Sequence, residues 1–137
     1  MDASDMPQVN AEFGSMPVIT FPSPEAPAGL RGLEIAEGDG PVVRKGDRVT
    51  VNYHGVVWGK STPFDSSFSR HQPASFGIGI GQVIRGWDQL VPGHNVGSRL
   101  IVSIPPEYGY GRNGMPAAGI GGGDTLVFVI DIISTSR

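Results

Sequence analysis

Tyr53, Phe64, Phe76, Trp87, Tyr110 and Phe128 are bulky rings set beside predicted turns, and they carry the chemistry left once the reactive side chains are weighed. Together they would make a dry, ring-lined surface for an apolar group. Taken singly, each reads first as a core residue. The reactive alternatives fail on residue type and spacing. There is no Cys, and His54, His71 and His94 are far apart with no His-x-x-x-His pair, so a zinc or iron–sulfur site is not indicated and no metal is expected. No Gly-x-Ser-x-Gly elbow is present. The glycine runs Gly77-Ile78-Gly79-Ile80-Gly81 and Gly119 to Gly123 match neither Gly-x-Gly-x-x-Gly nor the Walker spacing with its Lys, and read as turns and bulges. Asp65, Glu107, Asp124 and Asp131 contain no close carboxylate pair for glycosidase-like acid–base work. The expectation is a site without cofactor or nucleophile.

Short strands must position those rings. In Val49-Thr50-Val51-Asn52-Tyr53-His54 a period of two puts Val49, Val51 and Tyr53 on one face. Similar patterns predict strands from Leu33, near Ala74–Ile78, over Arg99–Ile104 with Leu100, Val102 and Ile104 inward, and over Leu126–Ile133. The last run is nearly continuous in apolar residues, which places it inside the sheet and covered on both sides over part of its length. One helix is predicted over Val83–Leu90, with Ile84, Trp87 and Val91 on one face and Pro92-Gly93 as the stop. At about two turns it needs packing to form. The expected fold is α+β, a curved antiparallel half-barrel sheet wrapped around one short helix. Pro105 to Asp124 is a long glycine-rich loop, of the kind that is functional or mobile.

With 137 residues the chain has room for one core. Gly and Pro make up about a quarter of it, against a usual ~12%. Their placement between Val-, Ile- and Phe-rich runs marks turns rather than disorder. Residues 1–28 carry Asp2, Asp5, Glu12 and Glu25 with no Lys or Arg, five prolines and no sustained periodicity; they read as a flexible acidic tail, followed by a domain over 29–137. Within it, Met16 to Phe21 could dock as an edge strand with Phe13 and Phe21 packing on the domain. The remainder of the net charge of −3 is nine acidic against ten basic residues, which leaves no footprint for nucleic acid. No apolar run approaches the ~20 residues of a membrane span and no secretory signal opens the chain. Together with the absence of Cys, this gives the cytoplasm as the expected compartment.

The segments Val49-Thr50-Val51-Asn52-Tyr53-His54-Gly55, Phe64-Asp65-Ser66-Ser67, Gly81-Gln82-Val83-Ile84-Arg85-Gly86-Trp87-Asp88, Ile104-Pro105-Pro106-Glu107-Tyr108-Gly109-Tyr110-Gly111 and Thr125-Leu126-Val127-Phe128 resemble the FKBP family of peptidyl-prolyl cis-trans isomerases, in its order and nearly its spacing. The resemblance runs from about Leu30 to Ile133. It implies a proline pocket with Trp87 as floor and Tyr53, Phe76 and Phe128 as walls, joined by Val83, Ile84 and Phe64. It also implies Asp65 near the twisting carbonyl, Arg70 orienting it, the Tyr110 hydroxyl and Ile84 N–H as ligand donors, and Ile120 as the loop isoleucine at the pocket. Ala74, where an aromatic is common, Gln82 in place of an acidic residue, and Met115 depart from the family pattern, as does a loop about one residue longer. By the same resemblance the expected partners are proline-containing peptides, unfolded chains and macrolides of the FK506/rapamycin class, bound by a monomer.

Rotation about X-Pro faces a barrier of ~18–20 kcal/mol and takes tens to hundreds of seconds unaided. An apolar pocket suits that reaction, because the planar amide carries more charge separation than the perpendicular transition state and loses more on leaving water. Asp65 has a plainer reading as the salt-bridge partner of Arg70. The competing functions are a proline-binding module without turnover and a general folding helper. The second is disfavoured, since no inserted flap domain interrupts 78–125.

Overall fold

The computed structural model describes residues 5–137. Its main sheet contains six strands: β3 (Arg31–Ala36), β4 (Arg48–Val57), β5 (Asp65–Ser66), β6 (Ala74–Gly77), β7 (Arg99–Ile104) and β8 (Leu126–Ser136). Its order is β3-β7-β8-β4-β5, and β6 shares with β5 the free edge of β4. Every pairing is antiparallel. The helix α2 (Arg85–Leu90) packs in the concave face, while α1 (Ser67–Arg70) is a single turn between β5 and β6. This is the α+β half-barrel expected, with β8 inside the sheet between β7 and β4.

Two apolar layers sandwich the sheet. The inner one joins Val49, Val51, Leu100, Val102, Ile104, Leu126, Phe128, Ile130 and Ile132 to Trp87 and Val91 of the helix. Gly86 allows that approach, since a Cβ there would lie 2.7 Å from Ile104 Cδ1. The outer layer consists of Val56, Trp58, Ile101, Val127 and Val129. Because strand side chains alternate, β8 supplies both layers in turn.

The outer layer is covered by the segment expected to be a flexible tail. Residues 1–4 of that expectation lie outside the described residues; from Asp5 onward the segment packs on the sheet through several of its side chains. Strands β1 (Gln8–Val9) and β2 (Ile19–Thr20) pair with each other rather than with the main sheet. Met6 is 2% exposed, and Val9, Ile19, Phe21 and Ala26 pack on the outer layer, with Phe21 5.0 Å from Trp58. The Trp58 indole donates to Ser23 O at 3.0 Å. A second fastening is the fully buried Arg99, which pairs with Asp131 at 2.7 Å and donates to Asn10 O and Ser15 O, while Gly14 N–H donates to Asp131 at 2.7 Å. The apolar outward positions of β7 and β8 require a cover, and the acidic segment provides it with scattered apolar contacts that show no period.

Candidate active site

The free edge of β4 determines the shape of the site. Phe76 and Ala74 of β6 stand opposite Val49 and Val51, so they share the inward face, and Asp65 of β5 stands opposite Gly55. Tyr53 points into the space between them. Trp87 forms the floor from α2, in edge contact with Tyr53 at 5.3 Å and Phe128 at 5.1 Å, and tilted against Phe76 at 5.3 Å. Phe64 meets Phe128 edge-on at 5.5 Å. Gly55 makes that contact possible: a Cβ would lie 2.6 Å from Phe128 and 2.8 Å from Phe64.

These rings enclose an open recess of ≈ 480 Å³, lined also by Asp65, Ala74, Gly81, Gln82, Val83, Ile84 and Tyr110. Trp87 is 5% exposed, and its buried indole N–H has no acceptor among the described residues. The loop before α2 is fixed from two directions. Asp88 accepts from Gly79 N–H and Gly81 N–H at 2.7 and 3.0 Å, and Gln82 Oε1 accepts from Gly77 N–H at 2.8 Å. The loop therefore presents Val83 and Ile84 to the recess with little freedom. Ile84 N–H and the Tyr110 hydroxyl make no hydrogen bond among the described residues.

One corner is polar. The Tyr53 hydroxyl donates to Asp65 Oδ2 at 2.5 Å, and Arg70 donates both to Asp65 Oδ1 and, at 2.9 Å, to the Tyr53 oxygen. Arg70 reaches there because α1 is anchored: Ser66 caps it by accepting from Ser69 N–H, and Ser67 Oγ accepts from Tyr53 N–H at 2.7 Å while donating to Asn52 Oδ1 at 2.9 Å. Burial works against the Asp65 carboxylate, but hydrogen bonds from Tyr53 and Arg70 together with the Arg70 charge outweigh it and hold its pKa below the ordinary value. Burial, then the bond to Asp65, raises the Tyr53 phenol; burial and the nearby Asp65 charge raise Tyr110. All three thus keep one protonation state at neutral pH, Asp65 anionic and both phenols neutral. The described lining has no Ser, Thr, Cys or Lys, and the Tyr53 phenol beside Asp65 is held neutral, so the arrangement can bind, desolvate and hydrogen-bond.

The structure brings Tyr53, Phe64, Asp65, Phe76, Val83, Ile84, Trp87, Tyr110 and Phe128 together around the recess. Arg70 stands behind Asp65 instead of on the lining. Ile120, expected at the pocket, is 2% exposed and packs in the inner core, because its backbone pairs with Met115 across the loop and turns the side chain inward. Sequence reasoning missed the anchoring by Ser66 and Ser67; the only hint was a Ser pair directly after Asp65. It also missed Gly55, whose requirement depends on two rings distant in sequence.

A family model described as FKBP-type peptidyl-prolyl cis-trans isomerase matches residues 40–133. An FK506-binding protein of Streptomyces anulatus is 44% identical over 118 residues, covering 86% of this chain and 95% of that protein. FK506-binding protein 1A of Aspergillus fumigatus is 42% identical over 94 residues, covering 69% and 82%. The crystal structure of AtFKBP13 superposes with a TM-score of 0.72 at 34% identity, over 80% of this chain and 95% of that one.

Proposed function

The chain belongs to the FKBP-type peptidyl-prolyl cis-trans isomerase family, and we propose that the recess over Trp87 is where it turns X-Pro bonds. The proline ring lies on the indole, walled by Tyr53, Phe76, Phe128, Val83, Ile84 and Phe64. Planar X-Pro amide brought into this ring-lined space loses hydration of its separated charge, whereas the twisted amide has less to lose; each ~1.4 kcal/mol of that difference is about tenfold in rate. Tyr110 and Ile84 N–H donate to the substrate backbone. Asp65, held by Tyr53 and Arg70, faces the carbonyl that precedes proline.

The observation that supports this reading most directly is an open apolar recess floored by an indole and flanked by two donors that have no partner among the described residues. The test is a chemical-shift titration with Ala-Leu-Pro-Phe, paired with exchange or protease-coupled kinetics on the same peptide. The Trp87 indole should shift and the cis/trans exchange accelerate, while Trp58, bonded to Ser23 on the opposite face, stays still. Binding without acceleration would mark a proline-binding module; a response at Trp58 alone would reject the recess. By the same chemistry the recess takes macrolides of the FK506 class, whose binding names the relatives. The protein acts as a monomer on prolyl bonds of folding chains in the cytoplasm. No helix among the described residues is long and apolar enough to cross a membrane.

A further inference from the structure

The ring of aromatic walls has a gap. Ala74 is inward-facing, half-buried and on the recess, yet it contributes only a methyl group between Phe76 and the Tyr53–Asp65–Arg70 corner. Its neighbour Ser75 faces the other way and bonds Thr50 at 2.7 Å. Along β4, Ala74 stands opposite Val51 and Ser66 opposite His54, while Ser67 Oγ holds Tyr53 N–H between them, so β5 and α1 take up the strand edge and the gap is the space above the Ala74 methyl. The gap is thus a notch walled by Phe76 on one side and by Tyr53, with the Arg70 guanidinium 5.7 Å from its ring, on the other. At ≈ 480 Å³ the recess falls among cavities that hold drug-sized ligands and exceeds what one pyrrolidine ring fills.

We propose that Ala74 is a specificity-determining residue: the notch above its methyl group receives a large apolar side chain, aromatic for preference, from the residue that follows proline. This rests on the reading of the recess given above. Asp65, Tyr53 and Tyr110 gather at the end where Phe64 meets Phe128, and the carbonyl before proline is placed there. The chain after proline therefore leaves by the other end, past Phe76, Ala74 and Gln82. Gln82 Oε1 is already held by Gly77 N–H, which leaves its amide NH2 as the polar side-chain group at that exit, and beside it the Ala74 methyl and Phe76 select by size.

The test is kcat/KM for Ala-Leu-Pro-Xaa with Ala, Leu or Phe last, beside a control series, Ala-Xaa-Pro-Phe. In the unmodified protein, Phe over Ala after proline should differ by about tenfold, the scale of filling or leaving empty an apolar subsite. Ala74→Leu should bring that ratio close to one and leave the Leu-over-Ala ratio before proline as it was. Ala74→Val, a smaller intrusion, should fall between and answers the question if the Leu variant does not fold. Ser75→Ala, facing outward, should keep both ratios. A following-residue ratio that neither Ala74 variant moves, or one that moves together with the preceding-residue ratio, overturns the notch. Absence of turnover by the unmodified protein on every peptide overturns the recess itself and the notch with it.

Discussion

Replacing Asp131 by Asn should cost about 3–5 kcal/mol of stability and leave catalysis by the folded fraction intact. Asp131 and Arg99 are both 0% exposed. The carboxylate accepts from Arg99 Nε at 2.7 Å, from Arg99 Nη2 at 3.0 Å and from Gly14 N–H at 2.7 Å. An amide in its place removes the one formal negative charge bonded to the guanidinium among the described residues and turns an NH2 group toward donors. Breaking one side of a buried pair leaves an uncompensated charge, which accounts for the estimate of about 3–5 kcal/mol. Against a typical total of about 5–15 kcal/mol that is a large share, and it corresponds to a melting point lower by about 10–20 °C. Urea titration followed by circular dichroism gives the first number and thermal melting the second. The double variant Arg99→Met, Asp131→Leu removes both charges, but also the partners of Gly14 N–H, Asn10 O and Ser15 O, and should recover only part of the loss. Isomerase turnover below the transition should persist, because the pair lies on the outer face and the recess on the inner. A loss under about 1 kcal/mol for Asp131→Asn would refute the buried clamp.

Asp65→Asn should lower kcat/KM several-fold with the melt unchanged; full activity would remove the carboxylate from the mechanism. Since the folded-state pKa of Asp65 is depressed, its carboxylate is lost only as pH falls through a value under the ordinary 3.8, so kcat/KM of the unmodified protein should stay flat from pH 8 to about pH 5. His54 behaves differently. Burial lowers its pKa from 6.5, so the stability tied to its neutral form is present above that pH and declines as pH falls toward the folded value. His54→Gln should flatten the loss of stability between pH 7 and 5, and an unchanged slope would show that His54 is not its source. Gly55→Ala should cost about 1–3 kcal/mol and raise KM, because a Cβ 2.6 Å from Phe128 must displace a recess wall.

The strands that build the recess were legible because their inward residues repeat every second position: Val49, Val51 and Tyr53, or Leu100, Val102 and Ile104. The helix was legible from Ile84, Trp87 and Val91, although it starts at Arg85 with Ile84 as its cap. The cover over the outer layer was not. Ile101, Val127 and Val129 signal that something must lie over them, but an irregular segment carries no period that identifies it as the occupant. Arg99 and Asp131 were the other clue, opposite charges at outward positions of apolar strands, and their pairing depends on a register that one sequence does not give. The one-turn helix that carries Arg70 has four residues, too few for any periodic signal. Ile120 was misplaced because its orientation follows from a backbone bridge to Met115 inside a glycine-rich loop.

Strand β8 touches two unlike environments at every step, Phe128 toward the rings and Val127 and Val129 toward Phe21 and its neighbours. Sliding it by one position would exchange them all at once, sending Asp131 among the helix side chains and Phe128 beneath the amino-terminal hairpin. A one-residue insertion or deletion within 126–132 is therefore barred from both sides. The acidic amino-terminal segment, distant from any bound proline, helps to keep the aromatic wall in step.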